Sequence, residues 1–207
     1  MVFLNSPKSL QVPTLTLSLM LTLLLVGSLN GQETSDHRIW ASVGLGAGWG
    51  RLHCDICEGG RDFGPAGYVS VGGLFGKHLA IGAELGGWRE SNDSLNLTQR
   101  FITISAVAYW YPAPDSKRYF LKGGLGAVTY KADDIRTEED DDAEPLESSA
   151  IGAQIGAGYK FFITRAITLS PYVTFTGSFK ADLTRGNTTI TSVSLTLIQF
   201  GLAVGWH

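Results

Sequence analysis

Two stretches of the chain hold residue types dense enough to do chemistry. His53-Cys54-Asp55-Ile56-Cys57-Glu58 sets two thiols in C-x-x-C spacing among an imidazole and two carboxylates. Such a pair acts as a redox dithiol when a helix N-terminus depresses one thiol pKa, and no helix is predicted around it. As a metal site it offers His53, two thiolates, and Asp55 or Glu58 as a fourth ligand. In a chain that leaves the cytoplasm, the ordinary outcome for Cys54 and Cys57 is a short disulfide pinning the loop. The disulfide is the expectation; the metal site ranks second and the redox pair third.

Further on, Asp133, Asp134, Glu138, Glu139, Asp140, Asp141, Asp142, Glu144 and Glu147 gather nine of the 19 acidic residues, with Arg136 the one basic residue among them. Beyond residue 31 and outside that stretch, 14 basic residues face 10 acidic ones, so the formal net charge of −3 is local in origin. The spacing is not that of an EF-hand. A solvated surface loop is therefore preferred to divalent-cation binding or repulsion of anionic partners. The histidines are His37, His53, His78 and His207, and none falls into a motif with a serine and a carboxylate. No catalytic residue, cofactor or metal is assigned. Nucleic acid is excluded as a partner, because it wants a basic stripe that an overall acidic chain lacks.

Glycine is the compositional anomaly, at 26 of 207 residues with mean hydropathy +0.10. The chain opens on Met1–Leu29 with Lys8 as its single charge, an apolar stretch densest from Leu15 to Val26, and then small or polar residues up to Gly31. That order is the order of a secretory signal peptide. Residues 1–31 are therefore expected to be removed on export through the general secretory pathway, leaving one domain over 32–207.

From Ile39 the period is two. Val43, Leu45 and Ala47 alternate with Gly44, Gly46 and Gly48; Ile167, Leu169, Val173 and Phe175 alternate with Thr168, Ser170, Thr174 and Thr176. Six further stretches behave alike, and so much glycine would destabilise a helix. Val193, Leu195 and Leu197 fall on the opposite parity from Phe200, Leu202 and Val204, which predicts a bulge near Leu197–Ile198. Short connections (Gly76–His78, Ala113–Arg118, Thr164–Arg165) alternate with others at His53–Phe63, Ser91–Ser94, Asp133–Ser148 and Thr184–Asn187. The expected fold is all-β: an eight-stranded antiparallel up-and-down barrel with one smooth rim and one decorated rim.

Such a barrel can hold a ligand in water or span a membrane. Here the polar column is Gly and Ser, poor at solvating an outer face and well suited to a narrow interior. Glu84 and Lys122 lie in that same column, and a lysine facing lipid at the midplane would cost about 2–4 kcal/mol. Both are placed inside as a lumen ion pair, with Tyr68, Tyr130, Tyr172, Gln154 and Lys160 filling the remaining bore. Trp40, Phe75, Trp110, Tyr111, Tyr119, Phe120, Phe161, Phe162 and Trp206 cluster beside the short turns and read as an interfacial aromatic girdle. The barrel is thus a transmembrane one.

The last strand, Gln199-Phe200-Gly201-Leu202-Ala203-Val204-Gly205-Trp206, resembles the assembly signal of the bacterial eight-stranded outer-membrane β-barrel superfamily. Gln199, Gly201, Val204 and Trp206 occupy its polar, glycine, hydrophobic and aromatic positions; His207 after the aromatic departs from it. Ala106-Val107-Ala108-Tyr109-Trp110-Tyr111-Pro112 and Leu121-Lys122-Gly123-Gly124-Leu125-Gly126 are similar to uncharacterised members. The resemblance implies a Gram-negative outer-membrane location. It also implies periplasmic chaperones and the outer-membrane assembly machinery as transient partners, and outer-membrane lipid and lipopolysaccharide as surroundings. The superfamily is functionally mixed and names no ligand. A non-enzymatic structural or surface-interaction protein is expected first, a conduit or binding protein for small hydrophobic solutes second, and a lipid-A-modifying enzyme third.

The cysteine pair can be tested without any structure. In non-reducing buffer Cys54 and Cys57 should resist alkylation, and Cys54→Ala should leave Cys57 labelled in a barrel that still folds. Loss of a stoichiometric metal on that substitution would instead identify a metal site.

Overall fold

A computed structural model describes residues 39–53, 62–92, 97–113, 117–134, 146–185 and 188–206. The expected signal peptide, Cys54, Cys57, and Glu138, Glu139, Asp140, Asp141, Asp142 and Glu144 lie outside the described residues. Strands β1 (Ile39–His53), β2 (Asp62–Phe75), β3 (Leu79–Asn92), β4 (Leu97–Trp110), β5 (Tyr119–Asp134) and β6 (Leu146–Tyr159) pair with their sequence neighbours, all antiparallel. After β6 come β7 (Phe161–Phe162), β8 (Ile167–Ser178), β9 (Ala181–Arg185) and β10 (Thr188–Trp206). Both β8 and β9 lie between β6 and β10, so they form one stave interrupted at Phe179–Lys180. The tiny β7 is a hairpin arm on β8. Because β10 also pairs with β1 over Ala41–His53, the sheet closes into an eight-stave barrel and keeps no open edge between its first and last strands.

Period-two patterning becomes the two faces of the wall. Leu45, Val71, Leu85, Ile104, Leu125, Ile155, Val173 and Leu202, one from each stave, are all exposed. A water-soluble monomer rarely shows a contiguous apolar patch beyond a few hundred Å², and here the apolar face runs around the whole circumference. On β4 the band extends from Trp110 to Ile102, about 27 Å along the strand and about 20 Å of height at a tilt near 40°, close to the apolar band of a membrane barrel.

Three expectations need correction. First, there is no bulge at Leu197–Ile198: β10 pairs with β1 without interruption there, Leu197 opposite Gly50 and Ile198 opposite Trp49. Val193, Leu195, Leu197, Gln199 and Ala203 are all buried on the inner face. Parity never changes; what changes is the chemistry of the inner column, apolar toward the loop rim and small or polar below. The register shift of β10 falls earlier, between Ile190 and Val193. Second, the aromatic girdle is smaller than expected. Phe75, Trp110, Tyr119, Phe161, Phe162 and Trp206 are exposed, but Trp40, Tyr111 and Phe120 are buried inside the barrel end. Third, the strands run further into the decorated rim than their connections implied, since β5 ends at Asp134 and β6 starts at Leu146.

Closure depends on two glycines facing each other across the seam. A Cβ on Gly46 would collide with the Phe200 carbonyl oxygen and lie 2.6 Å from the Gly201 Cα; one on Gly201 would collide with the Leu45 carbonyl and lie 2.8 Å from the Gly46 Cα. The two backbones can approach this closely because neither position carries a side chain. Gly201→Val should therefore destabilise the closed barrel by about 1–3 kcal/mol, measured as a lower urea midpoint and less of the fast-migrating form on unheated gels.

Candidate functional site

The lumen is built in three layers. Toward the loop rim an apolar plug joins Trp88, Phe101, Val128, Tyr130, Leu195 and Leu197. Trp88 meets Phe101 at 5.0 Å between ring centroids, Phe101 meets Tyr130 at 5.2 Å, and the Trp88 indole Nε1 donates to the Gly48 carbonyl at 3.0 Å. Toward the short turns a second plug joins Trp40, Tyr68, Val107, Tyr109, Tyr111 and Phe120. Its rings also meet edge-on, Trp40 against Tyr109 at 4.9 Å and Tyr68 against Tyr172 at 5.0 Å. The inner glycines serve as recesses for these rings: a Cβ at Gly44 would strike the Tyr68 ring, and one at Gly158 the Phe120 ring.

Between the plugs lies the charged centre. Lys122 Nζ on β5 donates to Glu84 Oε1 on β3 at 2.8 Å and to Oε2 at 3.1 Å, with both side chains 4% exposed. β4 separates the two strands, and Lys122 stands opposite Tyr109 while Glu84 stands opposite Ser105. The ammonium thus leans across the bore, and Tyr109 takes part by donating its hydroxyl to Glu84 Oε2 at 3.1 Å. Lys122 Nζ also sits 4.9 Å from the Tyr68 ring centroid. Carboxylate, ammonium, phenol and π-face satisfy one another, as an ion pair withdrawn from water requires. Gln154 Nε2, Tyr172 Oη and Thr174 Oγ1 are buried in the same bore without a hydrogen-bond partner among the described residues.

The remaining predicted residues distribute along the barrel. Gln199 is buried and donates through Nε2 to the Gly87 carbonyl at 3.4 Å; Gly201 forms the seam, and Val204 and Trp206 face outward. Asp133 and Asp134 end β5, opposite Thr98 and Leu97. Glu147 Oε1 pairs with Lys131 Nζ at 3.2 Å on the outer surface. The structure therefore brings Glu84 and Lys122 together and leaves Asp133, Asp134 and Glu147 at the loop rim.

The outer membrane protein beta-barrel domain family matches residues 21–207. The chain belongs to that family. An outer-membrane barrel of this type resides in the Gram-negative outer membrane, and the lipid-facing wall above fits that location. Among solved structures, the attachment invasion locus protein Ail of Yersinia pestis is 13% identical, covers 81% of this chain and 98% of its own, and superposes with a TM-score of 0.51, a likeness of fold. Neisserial surface protein A (14% identity, 80% and 96% covered, TM-score 0.49) and OprG of Pseudomonas aeruginosa (10%, 82% and 96%, 0.45) are also similar. No curated protein matches the chain in sequence.

Sequence reading overlooked two sets of residues in this outer-membrane barrel. Tyr109, the third member of the charged centre, was identifiable by parity, since it alternates with the outward Ala108 and Trp110. The cations Lys77, Lys117, Arg118, Lys160 and Arg165 all sit in short connections, where Asp115 is the one acidic residue; that asymmetry was visible in the sequence.

The charged centre yields a double-mutant cycle. Glu84→Gln or Lys122→Met alone leaves a confined charge unpaired and should cost about 3–5 kcal/mol. Made together, the two substitutions should recover much of that loss, read by urea titration of the micelle-folded barrel. Strictly additive losses would show that the side chains do not interact.

Proposed function

We propose that this outer-membrane barrel is a non-enzymatic structural and surface-interaction protein whose lumen does not conduct. The observation that carries this reading is the double closure of the bore. Apolar plugs sit at both ends, and the cavity beside the short-turn plug, lined by Trp40, Ser42, Tyr68 and Tyr109, is about 20 Å³, room for about one water. His78 in a short turn is committed to structure, with Nδ1 3.0 Å from the Tyr111 carbonyl oxygen. Function then falls to the rim that carries the acidic stretch, while the barrel anchors it.

Lipopolysaccharide and outer-membrane lipid are the surroundings this reading calls for, and the outer face supports them. Arg89, Arg100 and Lys131 stand directly opposite one another across β3, β4 and β5, and Lys131 stands opposite Glu147 on β6. Cations side by side on the outward face, just beyond the apolar band, are complementary to a layer of anionic headgroups. Delivery by periplasmic chaperones and insertion by the assembly machinery through Gln199, Gly201, Val204 and Trp206 complete the proposal.

Planar-bilayer recording tests it. The folded wild-type barrel should give no discrete conductance steps, whereas a variant that empties both plugs (Trp88→Ala and Phe101→Ala at the loop side, Tyr111→Ala and Phe120→Ala at the short turns) should raise leakage and show that the assay can detect an opened bore. Discrete steps in the wild type, with solute uptake, would put the conduit first.

A further inference from the structure

At the short-turn mouth a cavity of about 170 Å³ opens between Trp40, Leu74, Tyr111, Lys117, Lys160, Phe162 and Arg165. We propose that this mouth is a binding site for one phosphate-type oxyanion, held by Lys117, Lys160 and Arg165 together with the Trp40 indole N–H. The inference goes beyond the surface role proposed above, and it concerns the opposite end of the barrel.

The polar groups of the described lining are donors, three of them cationic. Three cations reach the cavity from three separate connections: Lys117 ahead of β5, Lys160 between β6 and β7, and Arg165 between β7 and β8. None of the described lining residues is a carboxylate. Trp40 is 8% exposed, and its Nε1 has no hydrogen-bond partner among the described residues, although a buried donor normally finds one. Lys160 Nζ donates to the Tyr111 hydroxyl at 2.8 Å and lies 4.7 Å from that ring's centroid. Accepting that bond leaves the Tyr111 hydroxyl its own proton to donate. Burial and repulsion from Lys117 hold the Lys160 ammonium down at about 8, a penalty that an anion between the two lysines would reverse.

Size and shape narrow the chemistry. Drug-sized ligands occupy about 300–1,000 Å³, so this cavity suits a small headgroup or a free ion. Donors converging from several directions match a tetrahedral oxyanion better than a two-oxygen carboxylate, and arginine and lysine are the usual phosphate partners. Leu74 and Phe162 form apolar walls beside the donors, which suits a phosphate esterified to a lipid. The shared chemistry is phosphate; its two sources are a phospholipid headgroup and a soluble phosphate.

The test uses the full mature chain folded in a phosphate-free detergent, with the Trp40 indole N–H resonance assigned by its loss in Trp40→Phe. Inorganic phosphate and dihexanoyl-phosphatidylglycerol are titrated separately at constant ionic strength. A saturable shift of that resonance is expected with at least one of them. Phosphate alone would make the ligand a soluble ion, and phosphatidylglycerol alone a headgroup. Lys160→Gln with Arg165→Gln should weaken the response by about tenfold or more while the barrel stays heat-modifiable. Arg165→Gln alone, at an exposed turn, should weaken it less and serves if the double variant misfolds. No saturable shift with either probe, or one that both variants leave intact, would overturn the proposal. So would saturation in Asp115→Asn alone, since Asp115 would then be the occupant.

Discussion

A sheet closed on itself in lipid leaves every second side chain nowhere to go but the bore, and that constraint shapes this protein throughout. Alternate residues must be apolar because they meet hydrocarbon; the rest must fill a space that an eight-stave barrel leaves narrow. Lysine and glutamate in the inner column can exist there only as partners. The contact of Lys122 with Glu84 and Tyr109 is therefore the condition under which those strands can face the way they do. The glycines follow from the same shortage of room, as recesses for Tyr68 and Phe120 and as the close approach of β1 to β10.

Much of this was legible from parity. The eight staves, the inward column holding Ser70, Glu84, Lys122 and Gln154, and the outward column holding Leu45, Ile104 and Leu202 follow from alternation, because a strand has just two faces. The alternation of Gln199, Gly201 and Ala203 inward with Phe200, Leu202 and Val204 outward was readable for a similar reason, being a local pattern within a single strand. Even the crossing of β4 by the lysine could be inferred, since neighbouring staves in a meander are neighbours in sequence.

What sequence hid was the chemistry assigned to each depth of the bore. Val193, Leu195 and Leu197 look outward by hydropathy, and a bulge was the cheapest way to reconcile them with Leu202. In fact the inner face changes from apolar to polar along one strand, because the loop end of the bore is sealed by packing with Trp88 and Phe101. Trp40, Tyr111 and Phe120 misled in the same way: an aromatic at a strand end reads as a membrane anchor, yet these three stop the bore from within. The mouth cavity was hidden for another reason. Its cations flank the neighbouring staves β5, β6 and β8, and it is the circular closure that sets Trp40 of β1 against them.

That closure has a consequence for how the chain is made. The first and last strands are each other's partners, so a chain lacking the nineteen residues of β10, Thr188–Trp206, would leave β1 and the β8–β9 stave as two unpaired edges. Such edges recruit other strands readily. Completion of the barrel is thus encoded in geometry: one interlocking event at the seam certifies that all eight staves are present, and the glycine that permits it belongs to the stave that comes last to the sheet.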